Sequence, residues 1–195
     1  MASRGRPRSF DRQRALERAM DLFWSKGYEG AQLTDLTAAM GIAPPSFYAA
    51  FASKEAAFCE AVDLYMSTIG APPMAALEAE ADVREAVRAM LHGSIHVALS
   101  TRTGGCLLIL GVVNHLPENQ AARDHLLAAR RTTLELIRAR LRRGLAEGDL
   151  APETDIDSLA AYCHGILQAI SFQARDGAGR AELEALVERS MKALG

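Results

Sequence analysis

Apolar residues recur along this chain every three to four positions, and no stretch alternates apolar with polar as a half-buried strand does. The pattern predicts an all-α protein. From Asp11 onward Leu16, Met20, Phe23 and Trp24 form one helical stripe, which Gly27 stops. Leu33, Leu36, Ala39 and Met40 make a second, short helix closed by Gly41. After that turn, Pro44 or Pro45 suits the first turn of a third helix, where a missing N–H costs nothing, and this helix runs to about Phe51. Ser53 reads as the N-cap of a fourth, with Phe58, Val62, Tyr65, Met66 and Ile69 on one side and an end before Pro72-Pro73.

Helical spacing continues to the end of the chain. Asp82 caps a fifth helix that turns Val83, Val87, Leu91, Ile95 and Ala98 inward. Gly104-Gly105 breaks the chain, and Cys106 to Asn114 predicts a short, very apolar sixth helix before Pro117. The seventh, from about Gln120 to Glu147, is long and rich in arginine, with Leu127, Leu134, Ile137, Leu141 and Leu145 as its core stripe. After a turn from Gly148 to Thr154, the eighth runs from Asp155 to about Arg175 and is apolar on most of its circumference. Gly177-Ala178-Gly179 precedes a ninth, along which Leu183, Leu186, Val187, Met191 and Leu194 line up. About nine helices result. No flexible linker interrupts the fourth, so the seam between a domain of residues 1–55 and one of residues 56–195 should lie within it.

Composition narrows the class of protein. A hydrophobic share of 49% with 24% charged residues excludes a disordered chain. No apolar run approaches the ~20 residues that cross a bilayer. The basic start lacks the apolar stretch of a signal peptide, so a cytoplasmic protein is expected, with no membrane partner. Cys59, Cys106 and Cys163 are odd in number and widely spaced, without metal-ligand spacing, so reduced thiols and no metal or cofactor are expected.

Charge adds direction. The net charge of -2 conceals an N-terminal region, through Lys26, with seven basic and three acidic residues, hence +4. A basic end on an acidic body suits a localised anionic partner, although a solubilising tail has the same composition. Helix, glycine turn and helix directly after a basic helix is the geometry that delivers a recognition helix to the major groove. A plain helical hairpin in an all-α core shares that spacing.

Particular residues sharpen the choice. Gly30-Ala31-Gln32-Leu33-Thr34-Asp35-Leu36-Thr37-Ala38-Ala39-Met40-Gly41-Ile42, continuing into Pro44-Pro45-Ser46-Phe47-Tyr48-Ala49-Ala50-Phe51-Ala52-Ser53-Lys54-Glu55, resembles the DNA-binding domain of the TetR family of repressors. Ala19 to Tyr28 resembles that family's first helix, and the likeness grows diffuse beyond about residue 66. The resemblance implies a three-helix helix-turn-helix domain followed by a helical ligand-binding and dimerisation domain. It also implies a ligand-responsive regulator, a repressor rather than an enzyme, that binds a palindromic operator as a dimer. The two recognition helices of such a dimer sit roughly 34–36 Å apart.

Carried over by position, DNA contacts fall to Gln32 and Thr34, to Ala43, Pro44, Pro45 and Ser46 at the start of the recognition helix, and to Tyr48 and Lys54. Arg4, Arg6 and Arg8 would lie along phosphates or in the minor groove. Gln32 stands where the family usually has a hydroxyl residue, and glutamine is a poorer N-cap. Ala43, Pro44, Ala49 and Ala50 occupy places where bidentate base readers could stand, so much direct readout should be apolar contact with thymine methyl groups. Phe47 and Phe51 read as core.

The C-terminal half should hold a small-molecule effector. Its candidate polar residues are Cys106, His96, Asn114, His125, Tyr162, His164 and Gln168, with His92 and His115 nearby. His92 and His96 are four apart, but no carboxylate completes a metal set, and a solvated pair is the simpler reading. Cys106 follows Gly104-Gly105 at the expected start of a helix, where the amide field would lower its pKa and favour thiolate. The Gly-Cys-Leu-Leu run also resembles a TetR-family subgroup that includes regulators responding to electrophiles and short unsaturated acids. A small side chain filling a tight turn is the plain alternative. Residues 155–194 are expected to form the homodimer interface as a four-helix bundle, with packing inside one protomer as the other possibility. Two rival functions remain at this point: an all-α enzyme using His92, His96 and Cys106, and an adaptor that no longer binds DNA.

Overall fold

The computed structural model describes residues 10–101 and 104–194. The expectation for Arg4, Arg6 and Arg8 lies outside them. Among the described residues there are ten α-helices, two short 3-10 turns and no strand. The helices are α1 (Arg12–Gly30), α2 (Leu33–Met40), α3 (Pro44–Phe51), α4 (Lys54–Ser67), α5 (Ala71–Ala79), α6 (Val83–Leu99), α7 (Leu107–Leu110), α8 (Gln120–Glu147), α9 (Ile156–Arg175) and α10 (Arg180–Ser190).

Capping starts the helices where the sequence indicates. Asp11, Ser53, Asp82 and Asp155 each accept a backbone N–H from the first turn that follows. Gly41 ends α2 in the left-handed region at φ 70°, which turns the chain into α3. The two prolines of α3 fill its first positions, as expected.

Gly27 breaks the helical run of α1 at φ 69° and ψ 174°, where the sequence stops it, and a short further turn to Gly30 buries Tyr28. Two elements differ from the sequence expectation. Pro72-Pro73 opens α5 at the N-terminal positions proline tolerates, so the segment expected to be a break is a helix. The expected helix from Cys106 to Asn114 shrinks to the single turn of α7. Nine helices of at least eight residues therefore remain, but they are divided along the chain differently from the nine expected.

Two cores hold these elements. The first joins Leu16, Phe23, Trp24, Leu36, Phe47 and Phe58 to Leu107 and Leu108 of α7 and Leu126 of α8. The second joins Val87, Leu91 and Ile95 of α6 to Ile137 and Leu141 of α8, Leu167 and Ile170 of α9, and Leu183 and Val187 of α10. The expected stripe on α8 holds at Ile137 and Leu141, which are buried, and at Leu134 and Leu145, which pack against the second core. It fails at Leu127, which is exposed while Leu126 is buried, and the buried face also takes in the whole side chain of Arg140. The Arg140 Nη2 donates to the carbonyls of Glu80 and Ala81, so the guanidinium satisfies the C-terminal end of α5.

Candidate DNA-binding surface and effector pocket

The reading surface is built from the inside outward. Phe47 and Phe51 are fully enclosed and fix α3 on the first core, as expected of them. Their burial leaves Ala43, Pro44, Pro45 and Tyr48 on the outside, with Ser46 half-buried and the Tyr48 ring 53% exposed. Thr34 is exposed on the first turn of α2. Gln32 makes no side-chain cap, and its amide instead donates to the Glu29 carbonyl at 3.0 Å.

The basic residues divide by role. Arg12 pairs with Glu60 at 2.7 Å, donates to the Ala50 carbonyl, and lies 4.6 Å from the Phe51 ring centre. Lys26 pairs with Asp35 at 2.7 Å, and Arg18 donates to the Ala39 carbonyl at 3.1 Å. These cations clamp α1 to α2, α3 and α4. Lys54 opens α4 with its ammonium 4.4 Å from the centre of the Tyr28 ring. Burial pushes its pKa down, opposed by the nearby Glu29 carboxylate.

Behind this head lies an apolar cavity of about 250 Å³. Tyr65 and Met66 of α4, Met74 of α5, Val97 of α6 and Leu167 of α9 supply much of its wall. Cys106 borders it, on a turn that needs glycine: Gly105 has φ 79°, and an added Cβ there would meet the Ser171 carbonyl oxygen at 2.8 Å. The Cys106 amide donates to the Ser171 hydroxyl at 2.8 Å, and the Tyr65 hydroxyl donates to the Cys106 Sγ at 3.0 Å.

The electrostatics of Cys106 oppose the sequence expectation. Burial raises the thiol pKa and outweighs the hydrogen bond from Tyr65 and the amides of Ile109 and Leu108, all of which lower it. A single turn of helix in a dry wall supplies too little field to hold a thiolate, so the group is a neutral thiol at neutral pH.

Of the seven proposed effector residues, Cys106 and His164 border the cavity. His164 is half-buried beside Gln168, its Nδ1 lying 3.3 Å from the amide nitrogen, and its pKa is lowered by burial and then by Arg130. Gln168 itself does not reach the wall. His96 and Tyr162 are exposed, and His125 pairs with Asp63 at 2.8 Å where α8 meets α4. Asn114 ties the stretch after α7 to α1, its amide donating to Glu29 Oε1 at 3.1 Å. His92 lies 3.5 Å from Glu188, and His115 is exposed. No group of three metal-ligating side chains occurs among the described residues, nor does a helix long and apolar enough to cross a membrane.

Sequence reasoning missed Arg130, a charged side chain on the cavity wall, because it sits in an arginine-rich helix and looks like its solvated neighbours. Its Nε donates to the Leu108 carbonyl and its Nη2 to the Ile109 carbonyl at 3.1 Å. Residues outside the wall also tie the C-terminal part to the reading head. Arg175 donates to the Ser25 carbonyl at 3.0 Å, and Tyr28 to the Asn119 side chain at 3.2 Å.

Leu127 and Leu136 of α8 and Tyr162 and Phe172 of α9 are exposed, each between 41% and 50%, and Leu136 also borders the cavity. A Cβ at Gly165 would meet nothing within 4 Å. By contrast, Leu183 and Val187 turn α10 into the core of its own protomer.

Comparison with known proteins agrees with this architecture. Residues 15–61 match the family of bacterial regulatory proteins called tetR, and residues 83–188 match the tetracyclin repressor-like C-terminal domain. The chain is 32% identical to the HTH-type transcriptional repressor ComR of Escherichia coli K12, over 93% of this chain and 87% of ComR. It is 44% identical to a double cysteine mutant of the TetR family transcriptional regulator CifR, solved with 26-bp double-strand operator DNA. That match has a TM-score of 0.92 and covers 97% of this chain and 100% of the other. A TetR regulator from Rhodococcus sp. RHA1 matches at 36% identity and a TM-score of 0.62, over 92% of this chain and 97% of that one.

Proposed function

The chain belongs to the TetR family of bacterial transcriptional regulators, and from that premise we propose that it is a repressor whose dimer binds a palindromic operator and answers to a small molecule. The carrying observation is the exposed start of α3. Phe47 and Phe51 are spent on the core, while Ala43, Pro44, Pro45, Ser46 and Tyr48 border open solvent. Gln32, Thr34 and Lys54 flank that edge and would meet phosphates, with the arm of Arg4, Arg6 and Arg8 extending the contact. Residues 1–55 act as the reading head and 56–195 as the effector and dimer domain. A DNA-reading role puts the protein in the cytoplasm.

The partner protomer would cover the exposed side chains of α8 and α9, crossing close at Gly165. Within the expected span 155–194, α9 would bring Tyr162, Phe172 and the open face at Gly165 to that contact, with the exposed face of α10 beside it. An effector would occupy the cavity beside Cys106 and His164. Ligand controls DNA binding only through unequal affinity for two arrangements of the heads. The α7 turn supports such coupling, since it forms cavity wall on one side and packs with α1 and Phe58 on the other.

Footprinting of the purified protein on its own upstream DNA tests the reading. A protected palindrome, lost as salt rises, is expected. Uniform weak protection that competitor DNA abolishes would remove the operator from the proposal.

A further inference from the structure

Among the described residues the cavity has one charged group on its wall and no counter-charge. Arg130 borders it, together with hydrophobic side chains, a few hydroxyls and His164, and no described carboxylate or lysine shares the lining. Among the described residues no carboxylate lies within ion-pair distance of Arg130. Its neighbours on the protein side are the two carbonyls it already binds, those of Leu108 and Ile109. These bonds use Nε and one Nη2 hydrogen, so both Nη1 hydrogens stay uncommitted.

Such a group is out of balance with its surroundings. Burial lowers the Arg130 pKa, opposed only by Cys106, yet an arginine remains charged at any physiological pH. A partly desolvated cation costs free energy until an anion meets it. The other polar groups on the wall are largely spent. The Ser94 and Thr133 hydroxyls donate to carbonyls of their own helices, and Ser171 accepts from the Cys106 amide. His164 is held neutral by burial and by the Arg130 charge, which leaves a ring able to donate or accept one hydrogen bond beside the cation.

We propose that this cavity binds a small monocarboxylic acid, its carboxylate paired with Arg130 Nη1 and its apolar body among Met66, Met74, Val97 and Leu167. The proposal rests on the effector reading above and adds the chemical class of the ligand. A cavity of about 250 Å³ suits a small acid with a short alkyl body. Neutral molecules of the same size leave the guanidinium unpaired. Because Arg130 holds the carbonyls of α7, an acid drawn to its head would also load the turn that packs against α1.

Calorimetric titration of the full chain with butanoate, hexanoate and octanoate, each against its primary amide, tests this directly. Acid and amide match in size, so their ratio isolates the charge. At least one acid should bind ten-fold or more tightly than its amide. Arg130→Met should bring that ratio to within two-fold, and Arg130→Lys should keep part of it. Equal binding of acids and amides by the parent, no binding by any acid at millimolar concentration, or an undiminished preference in R130M would each overturn the proposal. If R130M fails to fold, the acid–amide ratio of the parent decides alone. Footprinting of the same preparation keeps the readings apart. Operator binding with indifference to acids sinks the ligand class only, and acid binding without an operator sinks the regulator.

Discussion

The Tyr65 hydroxyl donates to the Cys106 Sγ at 3.0 Å, and the same Tyr65 ring meets Trp24 of α1 edge-on, with centroids 5.2 Å apart. A cavity-wall thiol is thus two side chains from the first helix of the reading head. Trp24 is the single tryptophan of the chain, so changes at Cys106 are open to fluorescence.

The first prediction follows from that packing. Cys106→Ser should bind operator like the parent but lose part of its response to electrophiles or unsaturated short-chain acids, while Cys59→Ser keeps it. Both thiols have raised pKa values, Cys59 at about 11, so neither is thiolate at pH 7. Alkylation of Cys106 by iodoacetamide should therefore be slow at neutral pH and climb with pH beyond the ordinary thiol range. Tyr65→Phe removes a bond that lowers the Cys106 pKa, so it should slow alkylation further. A faster reaction in Y65F, or an inducer response untouched in C106S, would reduce Cys106 to a space-filling residue.

A second prediction concerns the edge of α3. Tyr48→Ala and Lys54→Ala should each weaken operator binding about ten-fold, roughly the worth of one hydrogen bond to a charged group, while leaving the dimer intact. K54A also removes a cation–π interaction worth ~0.5–1 kcal/mol, so its Tm should fall slightly and that of Y48A should not. Full affinity in both variants, measured by anisotropy with labelled operator, would mean that α3 does not face DNA.

Removing the basic arm gives a third measurement. Deletion through Arg8 should weaken specific and non-specific DNA binding alike. The slope of log K against log salt should fall by up to about three, near 0.9 for each phosphate that is no longer neutralised. An unchanged slope takes Arg4, Arg6 and Arg8 out of the interface.

The dimer interface is open to a charge test. Phe172→Glu and Tyr162→Glu sit on exposed ground in one protomer, so neither should unfold it. If α9 meets its copy there, light scattering should find monomers at micromolar concentration and operator affinity should collapse. Dimers that persist in both variants would move the interface elsewhere.

Stability provides the fifth. Arg140 is 1% exposed and two of its nitrogens are buried without partners, so its worth lies in the Glu80 and Ala81 carbonyls and in packing. Arg140→Ala opens a cavity and orphans both carbonyls, at a cost of about 3–5 kcal/mol and a Tm lower by roughly 10 °C. Arg140→Met keeps the packing and should lose about half as much. Equal Tm values for parent and R140A would mean that this guanidinium caps nothing of consequence.

The sequence determined the local grammar of this protein. Ser53 and Asp82 cap where they were expected to, and Asp11 and Asp155 cap the helices expected to begin there, because a cap is decided by residues three apart. Spacing likewise drew the short helices around Gly41, the likeness of their residues to a known family singled out the helix-turn-helix, and the structure has Phe47 and Phe51 inside and Tyr48 outside. Tertiary structure decided what depends on neighbours distant in the chain. Leu127 and Leu126 fit a helical stripe equally well, and only the packing of α8 on the first core buried Leu126 and left Leu127 exposed. Arg130, Arg140 and Arg142 read alike in sequence, yet one borders a cavity, one is a core residue and one is solvated. The difference is whether distant carbonyls lie within reach of the guanidinium. The charge state of Cys106 was decided in the same way. A helix start predicted a thiolate, but burial among side chains distant in the chain raises the thiol pKa instead.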